Sequence, residues 1–152
     1  VMGKAAQLLD DFEIPFEINA LSAHRTPAEV ERFATEAASR GLKVIIAAAG
    51  MAAALPGVIA ANTTLPVIGV PIASTLDGID ALLSIVQMPP GIPVATVGIN
   101  GGYNAALLAV EMLALSDERI AARFAEFKKG LANKIVKANA ELAEIKYKFK
   151  TN

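Results

Sequence analysis

Two spacings of apolar positions alternate along the 152 residues. Lys4 to Phe12 carries apolar residues at helical intervals, and the next stretch, EIPFEINAL, bounded by Pro15, alternates loosely in the manner of a strand. A second helix is set up by Thr26 as cap, Pro27 at the first helical position and Glu29 at the third, from which a carboxylate can reach back to the cap backbone. The spacing carries this helix to Arg40, and Gly41 stops it. Three short apolar runs follow, KVIIAAAG, PVIGVP and IPVATVGI, with β-branched residues and no polar alternation, the pattern of strands buried on both faces. Between them, ALPGVIAAN and LDGIDALLSIVQM have the helical spacing expected of crossovers in right-handed βαβ units.

The last part of the chain changes character. Tyr103 to Leu115 is almost free of charge and reads as a helix enclosed on most sides. Ser116, Asp117 and Glu118 then open an amphipathic helix towards Lys146, whose apolar side could lie on a neighbouring subunit. With Val1 to Gly3 read as the tail of a first strand, the pattern predicts five parallel strands in an α/β sheet, as one domain with a core over 1–115 and a helical extension over 116–152.

Composition narrows the function classes. With 54% apolar residues, the chain can bury a full core unaided. A net charge of −1, with both signs mixed, gives no footprint for nucleic acid or an anionic membrane, so a small ligand is the expected partner. No cysteine is present, which removes disulfides, thiolate nucleophiles and thiolate metal ligands. No segment reads as a signal peptide or membrane span, and the expected location is cytoplasmic.

In open parallel sheets ligands collect beyond the carboxyl ends of the strands. The candidate loops are therefore Gly3, SAHRTP, AAGMAAALPG, IASTLDG and INGGYN. SAHRTP holds the only histidine, His24, whose side-chain type exchanges protons near neutral pH (unperturbed pKa ~6.5). A histidine that merely packs at the mouth of a helix is the plainer reading. Arg25 beside it can hold a phosphate or carboxylate in two-point contact, or serve only as a surface ion-pair partner. One histidine with scattered acids offers no metal-ligand spacing, and Ser22, Ser74 and Ser84 have no nucleophile-elbow glycines. NGGYN lacks the dinucleotide fingerprint, and no P-loop lysine pattern occurs. Asp77 and Asp80 read as a solvated first turn, Met51 and Met88 as filler.

SAHRTP, VIIAAAG with ALPG, LPVIGVP, LLSIVQMPPGIPVATVGI and NAALLA together resemble the N5-carboxyaminoimidazole ribonucleotide mutases of de novo purine synthesis, from about Leu9 through Leu115. The resemblance implies a three-layer α/β/α sandwich with a central parallel sheet, flavodoxin-like or Rossmann-like. It also implies a homo-octamer with active sites between subunits and the C-terminal helix extending to neighbouring subunits. The implied reaction moves a carboxylate from the exocyclic nitrogen to the adjacent ring carbon of a phosphorylated imidazole ribonucleotide, with no metal and no cofactor.

Carried onto this chain, His24 is the general acid and base: it protonates the nitrogen as carbon dioxide leaves, and removes the proton from the ring carbon after that carbon has attacked the trapped gas. Gly3, Ser22, Ala23 and Arg25 match substrate-binding positions. Gly50, Met51, Ala52 and Leu55 are implied to surround the carbon dioxide, and Ser84 to Pro89 to close part of the pocket. A pocket of Ala and Gly suits a small apolar gas by keeping water out.

The sequence departs from the family pattern in three places. The family's Gly-Ser-x-Ser-Asp after Met-Gly is absent, and Gly3 runs straight into Lys4. About ten residues are missing there by resemblance, more than an ordinary βα loop, and dropped residues are the preferred explanation. The VPIASTLDG turn is about one residue short on the same count. Where the family has Gly-Gly-Ala-Ala-His-Leu-Pro-Gly, this chain reads GMAAALPG, with Met51 and Ala54 replacing glycine and histidine. The competing functional readings are a carboxylase of aminoimidazole ribonucleotide that uses free carbon dioxide, and a non-catalytic nucleotide-binding oligomer.

Overall fold

The computed structural model describes every residue from Val1 to Asn152. The elements in chain order are α1 (Met2–Asp11), α2 (Pro27–Glu36), β1 (Ile45–Gly50), α3 (Leu55–Ala61), β2 (Val67–Ile72), a 3-10 turn (Leu76–Gly78), α4 (Ile79–Val86), β3 (Ala95–Thr96), α5 (Gly102–Ala114) and α6 (Glu118–Glu144). The sheet is parallel, in the order β1-β2-β3, with Ile45 opposite Val67 and Ile68 opposite Ala95.

Alternation along β1 and β2 sets the layers. Ile45, Ala47 and Val67 point to one face, where they pack with Val30, Ala34 and Ala37 of the α2 region and Ile59 of α3. Ile68 and Val70 point to the other, against Ala105 and Ala109 of α5, with Ile46 and Ala48 joining them. Helices thus cover both faces of the sheet, giving the expected α/β/α sandwich. Strand β2 is buried for its first five residues, which is why its sequence is apolar on both alternations. Gly69 lies under a close crossing: a Cβ there would meet Ile85 Cγ2 at 2.3 Å, so only glycine lets α4 approach this strand.

Five strands were expected and three form. Val1 and Gly3 belong to no strand, because Met2, Gly3 and Lys4 make the first turn of α1, so the expectation that Gly3 closes a first strand is corrected. The EIPFEINAL segment is not a strand either, since no backbone group from Pro15 to Leu21 bonds to another backbone group. It runs as coil because no strand lies beside it to supply partners. β3 keeps only Ala95 and Thr96, between Pro93 and Gly98, although Val97 N–H still donates to Gly69 O at 3.2 Å.

The helix boundaries follow local chemistry. Thr26 is the N-cap of α2 with Pro27 in the first turn, but its hydroxyl turns back to Ser22, and the Glu29 carboxylate pairs with Arg32 instead of the cap backbone. The helix ends at Glu36, short of Arg40, and Gly41 takes up a φ of +90° in the turn. Asp117 caps α6, accepting from Arg119 N–H at 2.9 Å and Ile120 N–H at 3.1 Å. The near absence of charge in α5 is explained by burial of Ala105, Ala106, Ala109 and Val110. Helix α6 packs on α1 and α5 through Ile120, Phe124 and Phe127, whereas Leu131, Ile135 and Val136 further along are exposed. No helix is long and apolar enough to cross a membrane.

An ion-pair cluster fastens α6 to the end of α1. Arg123 donates to Phe12 O at 2.8 Å and meets Glu13 at 2.7 Å, with Arg119 at 3.7 Å from the same carboxylate. The hydrogen bond from Arg123, then its charge, hold the Glu13 carboxyl below the ordinary value of 4.5. A depressed folded-state pKa stabilises the fold above that value and ceases to as pH falls through the folded pKa. Glu13→Gln is therefore expected to lower the melting temperature at pH 7, with the difference from the parent protein closing as pH falls below 4.5 in a thermal-melt series.

Candidate active site

The turn that carries His24 is built by side chains reaching back along four residues. Ser22 N–H donates to Thr26 Oγ1 at 3.0 Å, and Thr26 Oγ1 donates in return to Ser22 O at 3.1 Å. Ser22 Oγ accepts from Arg25 N–H at 3.2 Å and from Arg25 Nε at 3.3 Å. Small hydroxyl residues are needed at both ends for this closure, and Pro27 then directs the chain into α2. His24 lies inside the loop, exposed and in no hydrogen bond.

Two plainer readings find no support in this geometry. A packing histidine would be covered, and His24 is not. Arg25 is no ion-pair partner: Arg32, Arg40, Arg119 and Arg123 each meet a carboxylate, and Arg25 meets none. Its Nε is used within the turn, which fixes the guanidinium plane and leaves both terminal nitrogens for an anion.

The turn is tethered to the sheet through the residue before it. Leu21, immediately before it, packs in the same cluster as Ala47 of β1 and Leu55 at the start of α3. Gly50 ends β1 beside the loop after β2, because a Cβ on Gly50 would stand 2.8 Å from Ser74 Oγ. Asn100 ties two rim loops together: its side-chain oxygen accepts from Ala73 N–H at 3.1 Å and its own N–H donates to Pro71 O at 2.8 Å. Asn100 takes a φ of 58° to do so, a conformation asparagine tolerates. Sequence reading named its loop for the Gly-Gly pair and missed the asparagine, although Asn before Gly-Gly is itself a turn signal.

Gly50 is the last residue of β1, Met51 and Ala52 follow it, Leu55 opens α3, and Ser22, Ala23, His24 and Arg25 form the turn before α2. Gly3 lies in the first turn of α1, and Val1 near it abuts the start of α5 at Gly102. Met88 of the SIVQMP segment reaches back towards α3, where its sulfur would lie 3.2 Å from a Cβ on Gly57.

The loop after β1 takes up left-handed backbone at two residues that carry a Cβ. Met51 has a φ of 55° and is 60% exposed, and Ala53 has a φ of 35°. Left-handed backbone costs a residue with a Cβ about 1–2 kcal/mol, so Met51 pays for a conformation that glycine adopts freely. Met51→Gly is expected to leave stability unchanged or raise it by up to about 1 kcal/mol, as read by denaturant unfolding, since little packing is lost and the gain exceeds glycine's added chain entropy. The IASTLDG turn is tighter still, with Leu76, Asp77 and Gly78 at φ of 45°, 52° and 87°.

Residues 1–134 match the family described as AIR carboxylase. The chain belongs to that family. The N5-carboxyaminoimidazole ribonucleotide mutase of Pyrococcus abyssi is 55% identical over 132 residues, which cover 86% of this chain and 76% of that protein. The phosphoribosylaminoimidazole carboxylase of Candida glabrata is 51% identical over 148 residues, 97% of this chain; the match spans 26% of that much longer protein. In the solved structure of Treponema denticola PurE the same architecture recurs, with a TM-score of 0.84 and 31% identity over 92% of this chain and 88% of that one. Membership of the AIR carboxylase family agrees with the resemblance carried by SAHRTP and SIVQMP.

Proposed function

We propose that this AIR carboxylase family member is a 5-(carboxyamino)imidazole ribonucleotide mutase of purine synthesis, with His24 as its general acid and base. The observation that carries the reading is the Ser22–Thr26 turn, which holds an uncovered histidine next to the only arginine without a carboxylate partner. The mutase name of the archaeal relative supports it, and the fungal relative's name keeps the carboxylase as the alternative.

In the proposed course the substrate phosphate or carboxylate is held by Arg25, with Ser22, Ala23 and Gly3 around the ribonucleotide. Protonated His24 gives its proton to the exocyclic nitrogen as the N–carboxylate bond breaks, releasing carbon dioxide and leaving a neutral imidazole. The adjacent ring carbon attacks the carbon dioxide, forming the new carbon–carboxylate bond. His24 then takes the proton from that carbon, which restores both the aromatic ring and the protonated histidine. Gly50, Ala52 and Leu55 supply a wall with no polar side chain, suited to retaining the gas while excluding water.

Proposed with this are a homo-octamer, in which exposed Leu131, Ile135 and Val136 of α6 seat on neighbouring subunits, and a cytoplasmic location. The test is turnover of N5-carboxyaminoimidazole ribonucleotide in a buffer free of ATP and bicarbonate. Formation of 4-carboxy-5-aminoimidazole ribonucleotide supports the mutase, and binding without product supports the non-catalytic oligomer.

A further inference from the structure

The bend at Asn100 is built by an extra residue. Val97 N–H bonds to Gly69 O, and a regular parallel pairing would next bond Ile99 N–H to Pro71 O, two residues on along both strands. The bond to Pro71 O comes instead from Asn100 N–H at 2.8 Å, so one residue is inserted after β3, a bulge of the kind that re-aims a side chain. Gly101 N–H donates to Gly98 O at 2.8 Å, which puts Asn100 third in a four-residue turn, where its φ of 58° is called for. Glycine would satisfy that turn with less strain. What asparagine adds is the amide oxygen, which accepts from Ala73 N–H at 3.1 Å. The loop so held is closely packed. A Cβ on Gly78 would stand 2.7 Å from Ile99 Cγ2 and 3.1 Å from Ala73 Cα, so the residues beside Asn100 and Ser74 press on the same glycine. Ser74 Oγ lies 2.8 Å from the place of a Cβ on Gly50, with Ile72 O at 3.3 Å, so the loop after β2 rests on the last residue of β1. The place of Ser74 is set by its neighbours, Ala73 bonded to Asn100 and Thr75 bonded to Asp80.

We propose that Asn100 is a positioning residue for the carboxylate shift: through Ala73 it seats Ser74 over Gly50, and so keeps closed the wall behind which carbon dioxide is held for the ring carbon. The proposal rests on the mutase reading above, and it gives Asn100 no contact with the reacting atoms. Its effect falls on a choice between two fates of the freed gas. With the wall closed, the ring carbon attacks, and His24 removes the proton left on it. With the wall open, carbon dioxide escapes to water. The ribonucleotide is then left as the aminoimidazole, its nitrogen carrying the proton that His24 gave, and neutral His24 takes its next proton from solvent. Loss of the Asn100 amide therefore lowers the yield of carboxylated product and the retention of its carbon, while substrate binding through Arg25 is untouched.

The experiment follows N5-carboxyaminoimidazole ribonucleotide, labelled with carbon-13 in its carboxylate, in excess unlabelled bicarbonate with the parent protein, Asn100→Gly, Asn100→Asp and Ser74→Gly. Glycine keeps the turn and loses the acceptor, whereas aspartate keeps both, since it also tolerates left-handed backbone. Asn100→Gly is expected to release aminoimidazole ribonucleotide, to hold less than about half of the label in its carboxylated product, and to form that product about tenfold more slowly with KM within about twofold of the parent. Asn100→Asp is expected to match the parent within about twofold in each of these. Ser74→Gly opens the same wall, so it should lose label as Asn100→Gly does, and the double variant should lose no more than either. Hydrogen exchange at the Ala73 amide should run at least about tenfold faster in Asn100→Gly than in the parent. Equal Ala73 exchange in those two proteins overturns the proposal, and so does an Asn100→Gly variant that is slower yet retains all of its label. A parent that forms no product, or forms it with the label gone, contradicts the mutase reading itself, and the proposal falls with it.

Discussion

Replacing His24 by asparagine is expected to cut turnover of the ribonucleotide by about two to four orders of magnitude, the usual share of a general acid and base. Asparagine keeps a polar side chain of comparable reach and cannot exchange a proton. One group serves both proton transfers in the proposed course, so neither has a substitute nearby: no second histidine exists in the chain. The fold should not register the change. His24 is exposed and in no hydrogen bond, so stability is expected to stay within about 0.5 kcal/mol of the parent. Steady-state kinetics and a thermal melt on one preparation check both halves. An asparagine variant that melts normally and keeps full turnover would remove His24 from the mechanism.

The second large effect concerns the sheet. Ile68→Ala is expected to cost about 2–5 kcal/mol in denaturant unfolding. Ile68 is completely buried in the middle strand, packed with Ala105 and Ala109 of α5, and its α5 neighbours are already alanines that cannot swell into the space left. Against a total stability of about 5–15 kcal/mol for a domain of ordinary size, that loss can populate the unfolded chain. A cost under about 1 kcal/mol would mean that α5 closes onto the strand far more freely than its packing indicates.

Strands β1 and β2 were legible because both their alternations are apolar, a pattern that depends on burial from two sides and survives without knowledge of neighbours. Helices α3 to α6 were legible for the same reason in the helical period, with Asp117 marking a start. The errors fell where a strand depends on another strand. Ile14 to Leu21 has the alternation, but backbone pairing needs a partner that this chain does not place beside it. Gly3 went wrong with it, since a strand end and a helix start look alike in three residues. At the site, His24 stood out as the single histidine, whereas the availability of Arg25 became visible only once every other arginine had found its carboxylate. The role of Asn100 in joining two loops was invisible because Ala73 is 27 positions away.

The account turns on a carboxylate that leaves nitrogen and returns to carbon without exchanging with solvent. N5-carboxyaminoimidazole ribonucleotide labelled with carbon-13 in its carboxylate, incubated with the protein in excess unlabelled bicarbonate, measures this directly by NMR of the product. Retention of nearly all label at the ring carboxylate is the predicted result. Product formed with the label lost to the bicarbonate pool would contradict it, and would assign the chain to the carboxylases that use free carbon dioxide.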